Sequence, residues 1–147
     1  MQGPVQVLHV EDDAAVADGI RLLLRSAGMQ VATSGSAADA MHRIARDGFC
    51  PDVLLLDYWL GGELTGADLA ERIGRQLGHR VPTIIVSGDL YNTEVPWIPG
   101  TPLLLVAKPV DDELLLDTIS HFAAWQRQAL ARSARPGAAG RMRAQGI

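Results

Sequence analysis

Short, nearly continuous apolar runs alternate along the chain with stretches whose apolar positions recur at helical spacing. VQVLHV, residues 5–10, reads as a first strand. The pattern after it, AAVADGIRLLLRSAG, puts Val16, Ile20, Leu23 and Leu24 on one helical face and meets Gly28 as a stop signal. MQVATS reads as a short second strand. SAADAMHRIARDG reads as a helix that starts at Ser36 as N-cap and ends near Gly48. DVLLL is a third strand, TGADLAERIGRQLG a third helix, PTIIVS a fourth strand and PLLLVAK a fifth. DDELLLDTISHFAAWQRQALA is a long last helix. Leu115, Ile119, Phe122 and Ala123 share one face of it, and acids fill its first turn, where the helix dipole favours them.

Strands that are apolar on both faces and alternate with helices dictate a parallel sheet covered on both sides. Five such units predict an α/β, flavodoxin-like doubly wound sheet of five parallel strands in the order 2-1-3-4-5. One unit departs from regularity. GDLYNTEVPWIPGTP carries Pro96, Pro99 and Pro102, which leave no room for a helix of normal length. The fourth helix is therefore expected to be short or irregular: one or two turns near Leu90–Val95, then an irregular segment carrying Trp97. After about Ala131 the chain becomes rich in Gly, Ala and Arg and loses periodicity, so residues 1–131 are expected to form the domain and 132–147 a disordered tail.

Composition narrows the class. At 147 residues, 48% hydrophobic and 20% charged, the chain is long enough and apolar enough for one domain with a real core. No apolar run approaches the roughly 18 residues that span a bilayer, and MQGPVQ lacks the pattern of a secretion signal. Cys50 is the single cysteine. It rules out an internal disulfide, fits a reducing, cytoplasmic setting, and is read as a packing residue at a strand edge. The net charge of −4 is uneven. The last 21 residues hold five arginines (Arg127, Arg132, Arg135, Arg141 and Arg143) and no acid, which leaves eight basic against seventeen acidic residues in the body. An acidic body argues against nucleic acid as a ligand and suits a divalent cation. The basic tail is read as solvated.

In doubly wound sheets ligands sit outside the carboxyl ends of the strands, so the last residue of each strand locates the site. The first strand ends in Glu11, Asp12 and Asp13, the third in Asp57, the fourth in Ser87 and Gly88, the fifth in Lys108 and Pro109. Clustered carboxylates repel one another, and Mg²⁺, a hard cation that takes oxygen ligands, relieves the repulsion. A carboxylate beside Mg²⁺ is a competent nucleophile toward phosphorus. The metal and a lysine neutralise the transferred oxygens, and a serine hydroxyl donates a hydrogen bond to one of them. Asp57, at the end of DVLLL, thus reads as a phosphoryl acceptor.

Four motifs taken together, VEDD, LLLDYWLGGELTG, IIVSGD and AKP, on alternating strands and in this order, resemble those of a response-regulator receiver domain of two-component signalling. The resemblance runs from about Val5 to Ala131. It implies that Asp57 is the phosphorylated aspartate, that Asp12 binds Mg²⁺ directly and Glu11 mainly through water, and that Trp59 supplies a backbone carbonyl to the metal. Ser87 would be the switch hydroxyl and Lys108 the lysine that pairs with the phosphoryl group, next to a cis Lys108–Pro109 bond. It further implies a signalling switch rather than an enzyme. The phosphoryl group would come from a histidine kinase or phosphotransfer protein, and the downstream protein partner is not named by the sequence. No output domain is expected after Ala131, so the chain would be a stand-alone receiver, a phosphorelay intermediate or a receiver excised from a hybrid kinase. Two features depart from the family pattern. Leu105 stands where such domains usually carry a Tyr or Phe, and the fourth helix is broken, which together imply a different readout. Trp59 is bulky for its place, and either screens the phosphoryl group from water or lies idle at the surface.

Two other functions fit parts of the pattern. A pseudo-receiver that binds without being phosphorylated is opposed by the intact set Asp12, Asp57, Ser87 and Lys108. An aspartate-nucleophile phosphohydrolase of the haloacid-dehalogenase kind is opposed by Trp59, which stands where its second acid belongs. A dinucleotide-binding domain is excluded by the acidic EDDAAV after the first strand. Elsewhere, Asp13 reads as the N-cap of the first helix and His9 as a packed strand residue. His42, His79 and His121 read as surface. Leu114 and Trp125 flank the core stripe of the last helix. They form either a patch for a homodimer or partner, or an isolated apolar pair that needs no explanation.

Overall fold

The computed structural model describes residues 3–62, 64–95 and 100–134. Five parallel strands, β1 (Gln6–Val10), β2 (Gln30–Ser34), β3 (Val53–Asp57), β4 (Thr83–Ser87) and β5 (Leu103–Ala107), form one sheet in the order β2-β1-β3-β4-β5. Four helices flank it: α1 (Ala14–Ser26), α2 (Ala37–Asp47), α3 (Gly66–Leu77) and α4 (Asp112–Ala134). The expected fold is the one observed. Between β4 and β5 the described residues hold only a 3₁₀ turn, Leu90–Asn92. The expected irregular segment with Trp97 lies outside the described residues, as does the tail after Ala134.

Side-chain alternation along the strands divides the core in two. Val7, Val53, Leu55, Ile84 and Val86 face α1 and α4, where they meet Leu24, Leu115, Ile119 and Ala123. Leu8, Val10, Leu54 and Leu56 face α2 and α3, against Ala40, Ile44, Leu69 and Ile73. The central strands β3 and β4 are buried at every position, which is why they read as unbroken apolar runs. β5 lies at the sheet edge and is only partly covered. Leu105 is half-buried there.

The helix ends follow local chemistry. Asp13 caps α1, its side chain accepting from the amides of Ala15 and Val16, as expected. Ser36 caps α2, which closes on Gly48 at φ +67°, a left-handed conformation that glycine adopts without a Cβ clash. Thr65 and Asp68 form a reciprocal capping box at the start of α3.

Five sequence expectations are corrected. Val16 is 44% exposed and not on the core face, because the buried stripe of α1 runs through Ala17 and Leu24. Cys50 is exposed rather than packed, since it lies in the loop before β3 and not on a strand. His79 is half-buried, held against the Gln126 amide. Trp125 is half-buried too, while Leu114 is exposed. Finally, α4 continues to Ala134, past the helix end expected at Ala131.

At the end of the sheet away from the acidic residues, Arg127 of α4 is not a free cation. Its guanidinium donates to Asp52 Oδ2 at 3.0 Å and to the Pro4 carbonyl at 2.9 Å. The same Asp52 oxygen accepts from the Gln6 amide at 2.8 Å. Both side chains are mostly buried. Arg127→Ala should therefore lower the free energy of unfolding by about 1–3 kcal/mol, because it leaves a partly buried carboxylate short of its partner. Urea denaturation would measure this, and no change in midpoint would mean that the pair is solvated and idle.

Candidate functional site

The carboxyl ends of β1, β3, β4 and β5 bring the predicted residues to one rim. β1 and β3 pair in parallel, with Val10 level with Leu56, so Glu11 and Asp57 emerge side by side. Carboxylate oxygens of Glu11, Asp12 and Asp57 lie within 4.8 Å of one another. Glu11 and Asp57 are buried and Asp12 is exposed. Lys108 leaves β5 and reaches over this cluster. Its Nζ donates to Asp57 Oδ2 at 3.1 Å and lies 3.5 Å from Glu11 Oε1. The Lys108–Pro109 peptide is cis.

Electrostatics follow from that packing. Burial pushes the Glu11 carboxyl above its ordinary range, and the charge of Asp57 adds to the rise, while Lys108 opposes it. For Lys108, burial works to lower the ammonium, but the hydrogen bond and charge of Asp57, with the charge of Glu11, outweigh it and hold the group above its usual value. Three clustered carboxylates against one ammonium leave the site short of positive charge.

Ser87 is fully buried at the end of β4, and Asp57 pairs with the residue before it, Val86. Its hydroxyl faces the turn that follows. It donates to the Asp89 carbonyl at 3.2 Å and accepts from the Asp89 amide at 3.1 Å and the Thr93 hydroxyl at 2.7 Å. Trp59 lies two residues beyond Asp57. Its side chain is 52% exposed, and its backbone bridges to Thr65.

Four residues around the site were not singled out by sequence. Tyr58 follows Asp57 and is buried, with its hydroxyl accepting from the Glu94 amide at 3.1 Å. Its ring meets Trp59 edge-on at 4.8 Å. Thr93 holds Ser87. Gly66 opens α3 against the backbone of β3, and a Cβ there would lie 2.4 Å from the Asp57 carbonyl oxygen. The Thr–Gly pair that ends LLLDYWLGGELTG was a readable sign of Gly66. Nothing in the sequence marked Tyr58 or Glu94, whose contact spans 36 residues, or Thr93, whose bonds form only once the turn after β4 closes on Ser87 and Asp89.

A groove of about 630 Å³ leads from the carboxylates between α1 and α4, bordered by Val16, Ile20, Leu55, Val110 and Leu115, with His9 at its polar end. His9 is 5% exposed and its Nδ1 has no partner among the described residues. Burial, helped by the charge of Lys108, lowers its pKa from 6.5 to about 4, so the ring is neutral at pH 7. The unfolded chain therefore binds a proton below pH 6.5 that the folded chain refuses until about pH 4. Folding stability contributed by His9 is complete above pH 6.5 and lost as pH falls through that window. The loss amounts to at most about 3 kcal/mol. Glu11, with its raised pKa, acts in the opposite sense. The expected result is that His9→Leu flattens the acid side of the stability–pH curve relative to the unsubstituted protein. Parallel curves from denaturation at pH 7, 6, 5 and 4.5 would contradict it.

Among the described residues no helix is long and apolar enough to cross a membrane. The family model for the response regulator receiver domain matches residues 7–120. Nodulation protein W of Bradyrhizobium diazoefficiens is 32% identical over 130 residues, covering 87% of this chain and 54% of that protein. Sensory transduction protein RegX3 of Mycolicibacterium smegmatis is 33% identical over 97 residues, covering 66% of this chain and 40% of that protein. The chain thus spans about half the length of the curated relatives it matches. The crystal structure of a response regulator receiver domain protein (CheY-like) from Methanospirillum hungatei JF-1 matches with a TM-score of 0.72 at 24% identity, over 86% of this chain and 99% of that one. At that identity the likeness shows the fold.

Proposed function

The chain belongs to the response regulator receiver domain family, and on that premise we propose that it is a phosphoryl-accepting signalling switch in which Asp57 is the acceptor. The observation that carries the reading is the convergence of Glu11, Asp12 and Asp57 under the Lys108 ammonium, 3.1 Å from Asp57. A carboxylate oxygen of Asp57 attacks phosphorus, an O–P bond forms, and the bond from phosphorus to the donor's imidazole nitrogen breaks. Burial of Asp57 leaves its carboxylate poorly solvated, which favours its attack on phosphorus. Lys108 moves its hydrogen bond from the carboxylate to a phosphoryl oxygen, and the Ser87 hydroxyl donates to another.

The all-oxygen, excess-negative donor set fits Mg²⁺. Glu11, Asp12 and Asp57 would hold it with the backbone carbonyl of Trp59, and when bound it supplies charge neutralisation at the transferred oxygens. The donor would be a histidine kinase or phosphotransfer protein, and the setting cytoplasmic. The chain is read as a switch and not an enzyme, since its product is its own modified aspartate.

The test is intact mass after incubation with acetyl phosphate, with and without Mg²⁺. The expected result is a gain of one phosphoryl group that requires Mg²⁺. A chain that gains none and also fails to bind beryllofluoride is a binding module of the pseudo-receiver kind.

A further inference from the structure

The segment that leaves β4 is tied to the site at two adjacent residues. Thr93 Oγ1 lies 2.7 Å from Ser87 Oγ and 2.6 Å from the Asp89 carbonyl. The next amide, Glu94, donates to the hydroxyl of Tyr58, the residue after Asp57 on β3. One tie runs to the hydroxyl that would meet the phosphoryl group. The other runs to the neighbour of the acceptor itself.

The protons at the first tie have two arrangements. Each hydroxyl carries one proton and two lone pairs. In the first arrangement Ser87 donates to the Asp89 carbonyl and Thr93 donates to Ser87. In the second Thr93 donates to the Asp89 carbonyl, and the Ser87 proton is released for another acceptor. Neither leaves the Asp89 carbonyl without a donor. Thr93 thus takes over the carbonyl that Ser87 abandons, and by doing so gives up its own hold on Ser87. Thr93 is then bound only within its own turn, and the Tyr58–Glu94 hydrogen bond is left to tie the segment to the end of β3.

We propose that Thr93 and Tyr58 form a two-point latch on residues 88–95, and that engagement of Ser87 by the phosphoryl group opens the first point and loosens the second. The proposal rests on the reading of Asp57 as acceptor and Ser87 as switch hydroxyl. It assigns the readout to the β4 exit. On β5, the Leu105 side chain offers no polar atom with which to sense the site, whereas the Thr93 hydroxyl is bonded to Ser87 and the Tyr58 hydroxyl holds the Glu94 amide of the same segment. Thr93 is a positioning residue: it touches Ser87, not the phosphoryl group.

The experiment is site-resolved amide exchange by NMR on the full chain, free and with Mg²⁺ and beryllofluoride, with occupancy followed by fluorine NMR. The Glu94 and Asp89 amides should exchange faster in the bound form, by up to about tenfold, the worth of one net hydrogen bond. Tyr58→Phe should speed Glu94 exchange in the free protein by a similar factor and remove most of the further increase on binding. Thr93→Val should weaken beryllofluoride binding several-fold, and Thr93→Ser, which keeps the hydroxyl, should restore it. Full beryllofluoride occupancy with unchanged Glu94 and Asp89 exchange would overturn the latch and leave the acceptor reading standing. So would Thr93→Val binding as tightly as the unsubstituted chain. Failure of the unsubstituted chain to bind beryllofluoride at all would overturn both.

Discussion

Asp57→Asn should abolish phosphoryl uptake while leaving the protein folded. The amide matches the carboxylate in shape but lacks its negative charge and is a poor nucleophile, so the rate from acetyl phosphate should fall at least about a thousandfold. Stability should move by less than about 1 kcal/mol, because two effects oppose each other. Lys108 loses a hydrogen-bonded anion at 3.1 Å but keeps Glu11 at 3.5 Å. Meanwhile Glu11 and Asp12 lose a like-charged neighbour. The Glu11 carboxyl, raised in part by Asp57, should fall toward its ordinary range. Mg²⁺ affinity should drop with the loss of one anionic ligand. Intact mass, thermal melting and Mg²⁺ titration report these separately. Residual uptake at the unsubstituted rate would place the acceptor elsewhere.

Gly66→Ala should be the most damaging single methyl addition near the site. A Cβ there would sit 2.4 Å from the Asp57 carbonyl oxygen and 3.3 Å from Leu56 Cβ. Neither is the end of a flexible side chain. The Gly66 amide also donates to the Tyr58 carbonyl at 2.8 Å, so α3 cannot retreat without breaking a bond to the residue that follows β3. Overpacking of this kind costs about 1–3 kcal/mol, and the melting temperature should fall by roughly 4 °C for each of those. Because the clash is with the backbone of Asp57, phosphoryl uptake should slow as well. Gly74 of α3 provides the contrast. It is also buried, but a Cβ there meets nothing nearer than 3.5 Å. Gly74→Ala should be neutral or stabilise by up to about 1 kcal/mol, since alanine is the better helix former. If both substitutions melt alike, the close approach of α3 to β3 is not what constrains position 66.

The two substitutions mark what was legible in the sequence. Asp57 declared itself because a lone acid after four apolar residues has few explanations, and because Glu11, Asp12, Ser87 and Lys108 stand at the other strand ends. The doubly wound parallel sheet followed from the strand–helix alternation, and the order 2-1-3-4-5 from assigning it to the flavodoxin-like class. Local cues carried the helix caps Asp13, Ser36 and Gly48. What escaped was whatever depends on the distance between elements. Gly66 was marked by the Thr–Gly pair of its motif, but the reason for a glycine shows only once α3 is laid against the end of β3. Tyr58 looks like a core aromatic until its hydroxyl meets the Glu94 amide across 36 residues of sequence. Arg127, counted as one cation of a basic tail, is bound to Asp52 across the fold. Val16 fitted the helical spacing of α1, but the stripe of α1 that meets the sheet runs instead through Ala17 and Leu24.

The most direct test of the acceptor assignment is chemical. After incubation with acetyl phosphate and Mg²⁺, borohydride reduces an aspartyl phosphate to homoserine, and peptide mapping then locates the reduced residue. Homoserine at position 57, formed only when Mg²⁺ is present, is the predicted result. Homoserine at position 12 or 13, 2-amino-5-hydroxypentanoic acid at position 11, or no reduced residue in a chain that has gained a phosphoryl group, would contradict it.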